Sequence, residues 1–122
     1  MSQMYLVALP LGMDVWRCNM FGFSKVNSIS PDDLAQKLQQ NKTQLIDVRE
    51  VNEFRSGHIK GARNIPLSQI DRFSTTSSSK IYVICQSGMR SKKAYKILEK
   101  KGLDVTNVMG GMSAWKGKTV RG

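Results

Sequence analysis

At 122 residues the chain fits one domain and is long enough to bury a real core. Hydrophobic residues make up 40% and charged residues 23%, which excludes a disordered polymer. Nineteen Lys and Arg against nine acids give a formal net charge of +10, a balance that draws anions and repels cations.

The charge is uneven: residues 80–122 hold ten Lys and Arg against two acids, and residues 1–79 hold nine against seven. Nucleic acid is not the expected partner, because the lysines have no interleaved aromatic platform on which bases could stack. A solvated helix face accounts for Lys96, Lys100 and Lys101. Two cysteines, Cys18 and Cys85, do not make a disulfide framework, and no second Cys or His stands at zinc-ligand spacing. A reducing, cytoplasmic setting is therefore expected, with no metal and no cofactor.

Residues 1–27 read as an N-terminal extension. Met4 to Met13 is apolar, but Pro10 and Gly12 interrupt it, and it falls short of a membrane span. It has no basic leader and no small-residue cleavage pattern. Met20 is a second candidate start, so a chain beginning there is expected to fold and function.

The domain itself is expected over 28–122. Ser30-Pro31-Asp32-Asp33 is a helix start: a serine cap, a proline at the first helical position, acids in the first turn. Leu34 and Leu38 then share a face. Gln44–Arg49 reads as a strand, Glu50–Ser56 as a short helix stopped by Gly57, and Ala62–Pro66 as an extended piece. Leu67–Phe73 gives one or two helical turns, followed by a Ser/Thr-rich loop over Ser74–Ser79. A strand at Ile81–Ile84, a helix at Ser91–Lys101 stopped by Gly102, a strand at Asp104–Met109 and a short helix at Met112–Trp115 complete the chain. Strands alternating with helices predict an α/β fold, with a mostly parallel central sheet flanked by helices on both faces. Ligands of such sheets bind beyond the carboxyl ends of the strands.

Cys85 stands at one such end. A lone cysteine after an apolar strand is commonly a small buried hydrophobe. The loop argues for more. Gly88 frees the backbone to turn, Arg90 adds a fixed positive charge, and the helix that follows aims its N-terminal N–H groups at the sulfur. Such surroundings favour the thiolate, the reactive form.

Three motifs carry a resemblance to a known family. Ile46-Asp47-Val48-Arg49-Glu50, Glu53-Phe54 and Gly57-His58-Ile59-Lys60-Gly61-Ala62-Arg63-Asn64-Ile65-Pro66 resemble the first signature of rhodanese-like domains. Tyr82 to Ser91 resembles their active-site strand and loop, and Val108 to Trp115 their C-terminal signature. The match runs over roughly 28–117. The resemblance implies a single-domain sulfurtransferase, monomeric, with Cys85 as nucleophile and Gln86, Ser87, Gly88, Met89, Arg90 and Ser91 as the substrate-binding loop. It implies a small anionic sulfur donor such as thiosulfate, a persulfide on the cysteine, and a thiol or cyanide acceptor, with a protein acceptor also open.

Other residues read as scaffold. Asp47 and Arg49 flank Val48 at a strand end and are expected to fix a loop by hydrogen bonds. His58, the only histidine, is expected to cap or brace a loop, since an already ionised thiol needs no base. Trp115 and Gly110-Gly111 read as packing and turn. Arg90 could pair with a donor's sulfonate or hold the loop closed. Lys92 and Lys93 read first as solvated lysines, with long-range attraction as the alternative. Two rivals stand. Phosphatase or arsenate reductase chemistry uses a similar loop, but protein tyrosine phosphatases place five residues between Cys and Arg where this chain has four. A non-catalytic rhodanese-like binding module is the other; such modules typically lack the cysteine.

Overall fold

The computed structural model describes residues 25–40 and 42–122. Expectations about the segment before residue 25, and the role of Cys18, lie outside them. The described residues form ten elements in order: β1 (Ser28–Ile29), α1 (Pro31–Lys37), β2 (Thr43–Asp47), α2 (Val51–Ser56), β3 (Arg63–Asn64), a 3-10 helix (Leu67–Arg72), β4 (Lys80–Ile84), α3 (Met89–Lys100), β5 (Val105–Val108) and α4 (Gly111–Ala114).

The five strands form one parallel sheet in the order β1-β5-β4-β2-β3. Alternation along β4 shows how the sheet divides the core. Ile81 and Val83, with Cys85 just beyond, face Ala94, Tyr95 and Leu98 of α3 and Ile70 of the 3-10 helix. Tyr82 and Ile84 face the other way, into a cluster with Leu34 of α1, against which Met112 of α4 and Trp115 pack. Helices thus cover both faces, and the α/β architecture expected from the sequence is the one observed. Among the described residues no helix is long and apolar enough to cross a membrane.

The α1 start follows its sequence signals. The Asp33 N–H donates to Ser30 Oγ at 3.1 Å, and Pro31 opens the helix. Other boundaries differ in ways that matter. β1 was not expected; it adds to the sheet edge because Ser28 and Ile29 pair with Asn107 and Val108. The expected strand over 44–49 ends at Asp47, where the chain turns aside and Arg49 folds back on the Asp47 carboxylate. The largest difference is in α3, which begins at Met89, two residues before the expected Ser91. Gly88 takes a left-handed conformation, with φ 108°, and turns the chain directly into the helix. Met89 and Arg90 therefore belong to the first turn of α3, not to a loop.

Candidate active site

The carboxyl ends of β2, β4 and β5 bring three loops together. Cys85 follows β4, and its residue is only 1% exposed. The Gly88 N–H donates to Cys85 Sγ at 3.0 Å, and Ser91 Oγ lies 3.4 Å from the same sulfur. Burial by itself would push the thiol up. The Ser91 hydroxyl and the backbone N–H groups of Ser91, Gly88 and Ser87 act against it, and the thiol is held below its ordinary range. A hydrogen bond to a charged group contributes about 1.5–3 kcal/mol, so several together on one sulfur outweigh its desolvation. The start of α3 adds the positive end of its dipole.

The loop is clamped from behind. The Met112 N–H donates to the Cys85 carbonyl at 2.8 Å, and the Ser113 N–H and hydroxyl donate to the Gln86 carbonyl at 2.9 and 2.8 Å. This requires close approach by α4. A Cβ on Gly111 would collide with the Cys85 carbonyl oxygen and stand 2.8 Å from the Gln86 carbonyl. Gly111 also has φ 57°, in the left-handed region. Gly110 turns the chain into α4, as the sequence suggests, and Gly111, the first residue of that helix, is the seat of the Cys85 loop.

From the β2 side, buried Arg49 fastens the same loop. Its Nη2 donates to Asp47 Oδ2 at 2.8 Å and to the Gly57 carbonyl at 2.7 Å, and its Nη1 to Gln86 Oε1 at 3.2 Å. Asp47 and Arg49 do fix a loop, and the hold on Gln86 extends their reach to the site. His58 Nδ1 donates to the Phe54 carbonyl at 2.8 Å, and its ring stacks on Phe54 at 3.6 Å. The histidine braces the end of α2, in the capping role expected of it.

The remaining site residues are distributed as follows. Gln86 and Ser87 are exposed, Gly88 is buried, and Met89 is 72% exposed. Ser91 is fully buried, its hydroxyl also 3.1 Å from the Gly88 carbonyl and 2.5 Å from Asn107 Oδ1. Arg90 is engaged away from the sulfur: its Nη1 and Nη2 donate to Glu53 Oε1 and Oε2 at 2.6 and 3.0 Å. The Arg90 guanidinium holds Glu53 down at about 2, while Glu53 Oε1 also accepts the Glu50 N–H at 3.1 Å. One carboxylate thus secures the start of α2 and the start of α3. Lys92 and Lys93 are exposed.

Two contributors escaped the reading of single residues. Glu53 is 37 positions from Arg90, and Asn107 sits in a buried strand between Thr106 and Val108; only the sheet order brings either to the site. Among the described residues no group of three or more His, Cys, Asp or Glu side chains is arranged to hold a metal. An open cavity of about 410 Å³, lined by Arg63, Asn64, Gln69, Arg72 and Phe73 among others, includes no residue of the Cys85 loop.

Comparison with known proteins agrees with this geometry. A putative sulfurtransferase of Bacillus subtilis, YtwF, is 40% identical over 98 residues, covering 78% of this chain and 95% of that protein. An uncharacterized protein of the same organism, YqhL, is 48% identical over 80 residues, covering 63% of this chain. This chain spans 64% of YqhL, a little under two thirds of its length. The crystal structure of a rhodanese-like domain protein from Staphylococcus aureus superposes with a TM-score of 0.72 at 35% identity, covering 80% of this chain and 99% of that one. The family description "Rhodanese-like domain" matches residues 30–118, and the chain belongs to that family.

Proposed function

We propose that the chain is a sulfurtransferase that carries a sulfane sulfur on Cys85. It takes the sulfur from a small anionic donor such as thiosulfate and passes it to a thiophilic acceptor, cyanide or a thiol. The observation that carries this reading is the convergence of N–H donors and the Ser91 hydroxyl on Cys85 Sγ, which holds the thiol below its ordinary range. In the first step the thiolate attacks the outer sulfur of thiosulfate. A new S–S bond forms as the bond to the sulfite sulfur breaks, and sulfite leaves with the electron pair. In the second step the acceptor attacks the terminal sulfur, and Cys85 leaves as the thiolate. The same donors stabilise the charge in both steps, dividing one difficult transfer into two easier ones. No base is needed, in keeping with a His58 that is bonded to backbone. The functional unit in this proposal is residues 28–122, with 1–27 as an extension.

The phosphatase alternative has less support. The loop is one residue short, and both terminal nitrogens of Arg90 are occupied by Glu53, where an oxyanion would need them. A binding module would have no use for a cysteine so surrounded. The test is transfer from thiosulfate to cyanide, read as thiocyanate. Cys85→Ser should abolish it, and Cys18→Ser should leave most of it. Full transfer by the Cys85 variant, or robust aryl phosphate hydrolysis by the unmodified chain without any persulfide, would overturn the proposal.

A further inference from the structure

Asn107 is fully buried in β5, the strand beside edge strand β1, and all four residues of β5 are buried. Its Oδ1 lies 2.5 Å from Ser91 Oγ, and its Nδ2 donates to Ser28 Oγ at 3.3 Å. A line of four polar groups thus runs from Cys85 Sγ through Ser91 and Asn107 to Ser28 at the sheet edge. Buried polar groups are costly unless each keeps a partner, and here the demand changes with the charge on the sulfur. The Ser91 hydroxyl has one proton and three neighbours that can accept it: Cys85 Sγ, the Gly88 carbonyl and Asn107 Oδ1.

With a neutral thiol, Sγ–H donates to Ser91, and Ser91 donates to Asn107 Oδ1. With a thiolate, Ser91 must turn its proton to the sulfur. Asn107 Oδ1 then faces an oxygen with no proton for it, at 2.5 Å. We propose that Asn107 is a positioning residue for the Cys85 thiolate, acting through Ser91 by a half-turn of its side-chain amide. After the turn Nδ2 donates to Ser91 Oγ, and Oδ1 accepts from the Ser28 hydroxyl, which releases the Val26 carbonyl 3.5 Å away. Each of the four groups on the line has a partner in both states, because an amide offers a donor and an acceptor on one rotor, and the released Val26 carbonyl belongs to a half-buried residue that solvent reaches. No proton passes between heavy atoms along the line; the thiol proton leaves to solvent. The inference rests on the reading of Cys85 as a working thiolate.

Among the described residues few charges compete with this line for control of the sulfur. α3 offers Arg90, which Glu53 of α2 neutralises, and exposed Lys92 and Lys93. The turn after β2 offers Arg49, opposed by Asp47. β5 and α4 carry no charged residue, Tyr95 of α3 turns its hydroxyl to Glu99, and Asp71 and Arg72 of the 3-10 helix are exposed.

The test is the pH profile of Cys85 alkylation by iodoacetamide, read by mass spectrometry on the Cys85 peptide and free of any need for sulfur transfer. In Asn107→Leu the neutral thiol keeps the Gly88 carbonyl as an acceptor for Ser91, but the thiolate loses the donor behind Ser91. The midpoint should move to higher pH, and alkylation below the wild-type midpoint should slow by roughly fivefold, the worth of one hydrogen bond. Asn107→Val, smaller and suited to a strand, should show the same direction should leucine prevent folding. In a Ser91→Ala background the Asn107 substitution should have no further effect. An unchanged midpoint in a folded variant, or equal slowing without Ser91, would overturn the inference. A wild-type thiol with an ordinary midpoint would instead remove the thiolate reading beneath it.

Discussion

Helices α1 and α3 both begin just beyond a strand, yet their first turns are used in opposite ways. α1 satisfies itself: Ser30 Oγ accepts the Asp33 N–H, Pro31 removes a donor, and Asp32 and Asp33 answer the dipole. α3 has no side-chain cap and no acid in its first turn. Gly88 turns the chain, and the donors that a cap would have absorbed are left for Cys85 Sγ. The contrast separates a helix start whose donors its own cap satisfies from one whose donors converge on the Cys85 sulfur. An uncapped start is a local weakness, and the surrounding structure offsets it. Arg90 is pinned by Glu53, Gln86 by Arg49 and Ser113, and the Cys85 carbonyl by the Met112 N–H.

The contrast breaks most severely at the support of the α3 end. Gly111→Ala should force the Cys85 carbonyl away from α4 and strain a left-handed backbone, at roughly 1–3 kcal/mol for the strain alone. Thermal unfolding should drop, and Cys85 alkylation should slow in whatever remains folded. A variant with wild-type stability and reactivity would show that α4 does not seat the loop.

A smaller effect sharpens the difference between the two starts. Ser30→Ala removes the α1 cap and should cost about 1 kcal/mol. Denaturant unfolding should report that loss, while the pH profile of Cys85 alkylation stays where it was. A shift in the profile would mean that the two helix starts are coupled.

The smallest effect concerns the brace that substitutes for a cap on α3. Glu53 sits at about 2 in the folded chain, against 4.5 for an unperturbed glutamate. A carboxyl depressed on folding adds stability above its unfolded value, and that stability is lost as pH falls from about 4.5 through about 2. The pair is one-third exposed, so solvent and salt screen it, and about 0.5–1 kcal/mol is expected near neutral pH. Glu53→Gln should therefore be less stable at pH 7, and its gap from the wild type should narrow over that acid range. A gap that stays constant with pH would assign the loss to packing.

Much of this fold was legible because its signals are local. Ser30-Pro31 names its helix, the run Ile81–Ile84 its strand, and the three motifs their family. Cys85 and Gly88 could be read as a unit because the turn and the helix start lie within a few residues of each other. The contacts that finish the site are not local. Glu53 meets Arg90, Gln86 meets Arg49, and Asn107 meets Ser91 only after β2, β4 and β5 have been laid side by side. Asn107, an amide in a short strand between Thr106 and Val108, was the one visible hint. The early start of α3 escaped because Gly88 was read as part of a loop rather than as the residue that opens the helix.

Whether Cys85 takes up a sulfur is read from the intact mass of the chain after incubation with thiosulfate. The wild type should gain one sulfur, lose it on addition of cyanide, and the Cys85→Ser chain should gain none. No added sulfur on the wild type, or the same addition on Cys85→Ser, would contradict it.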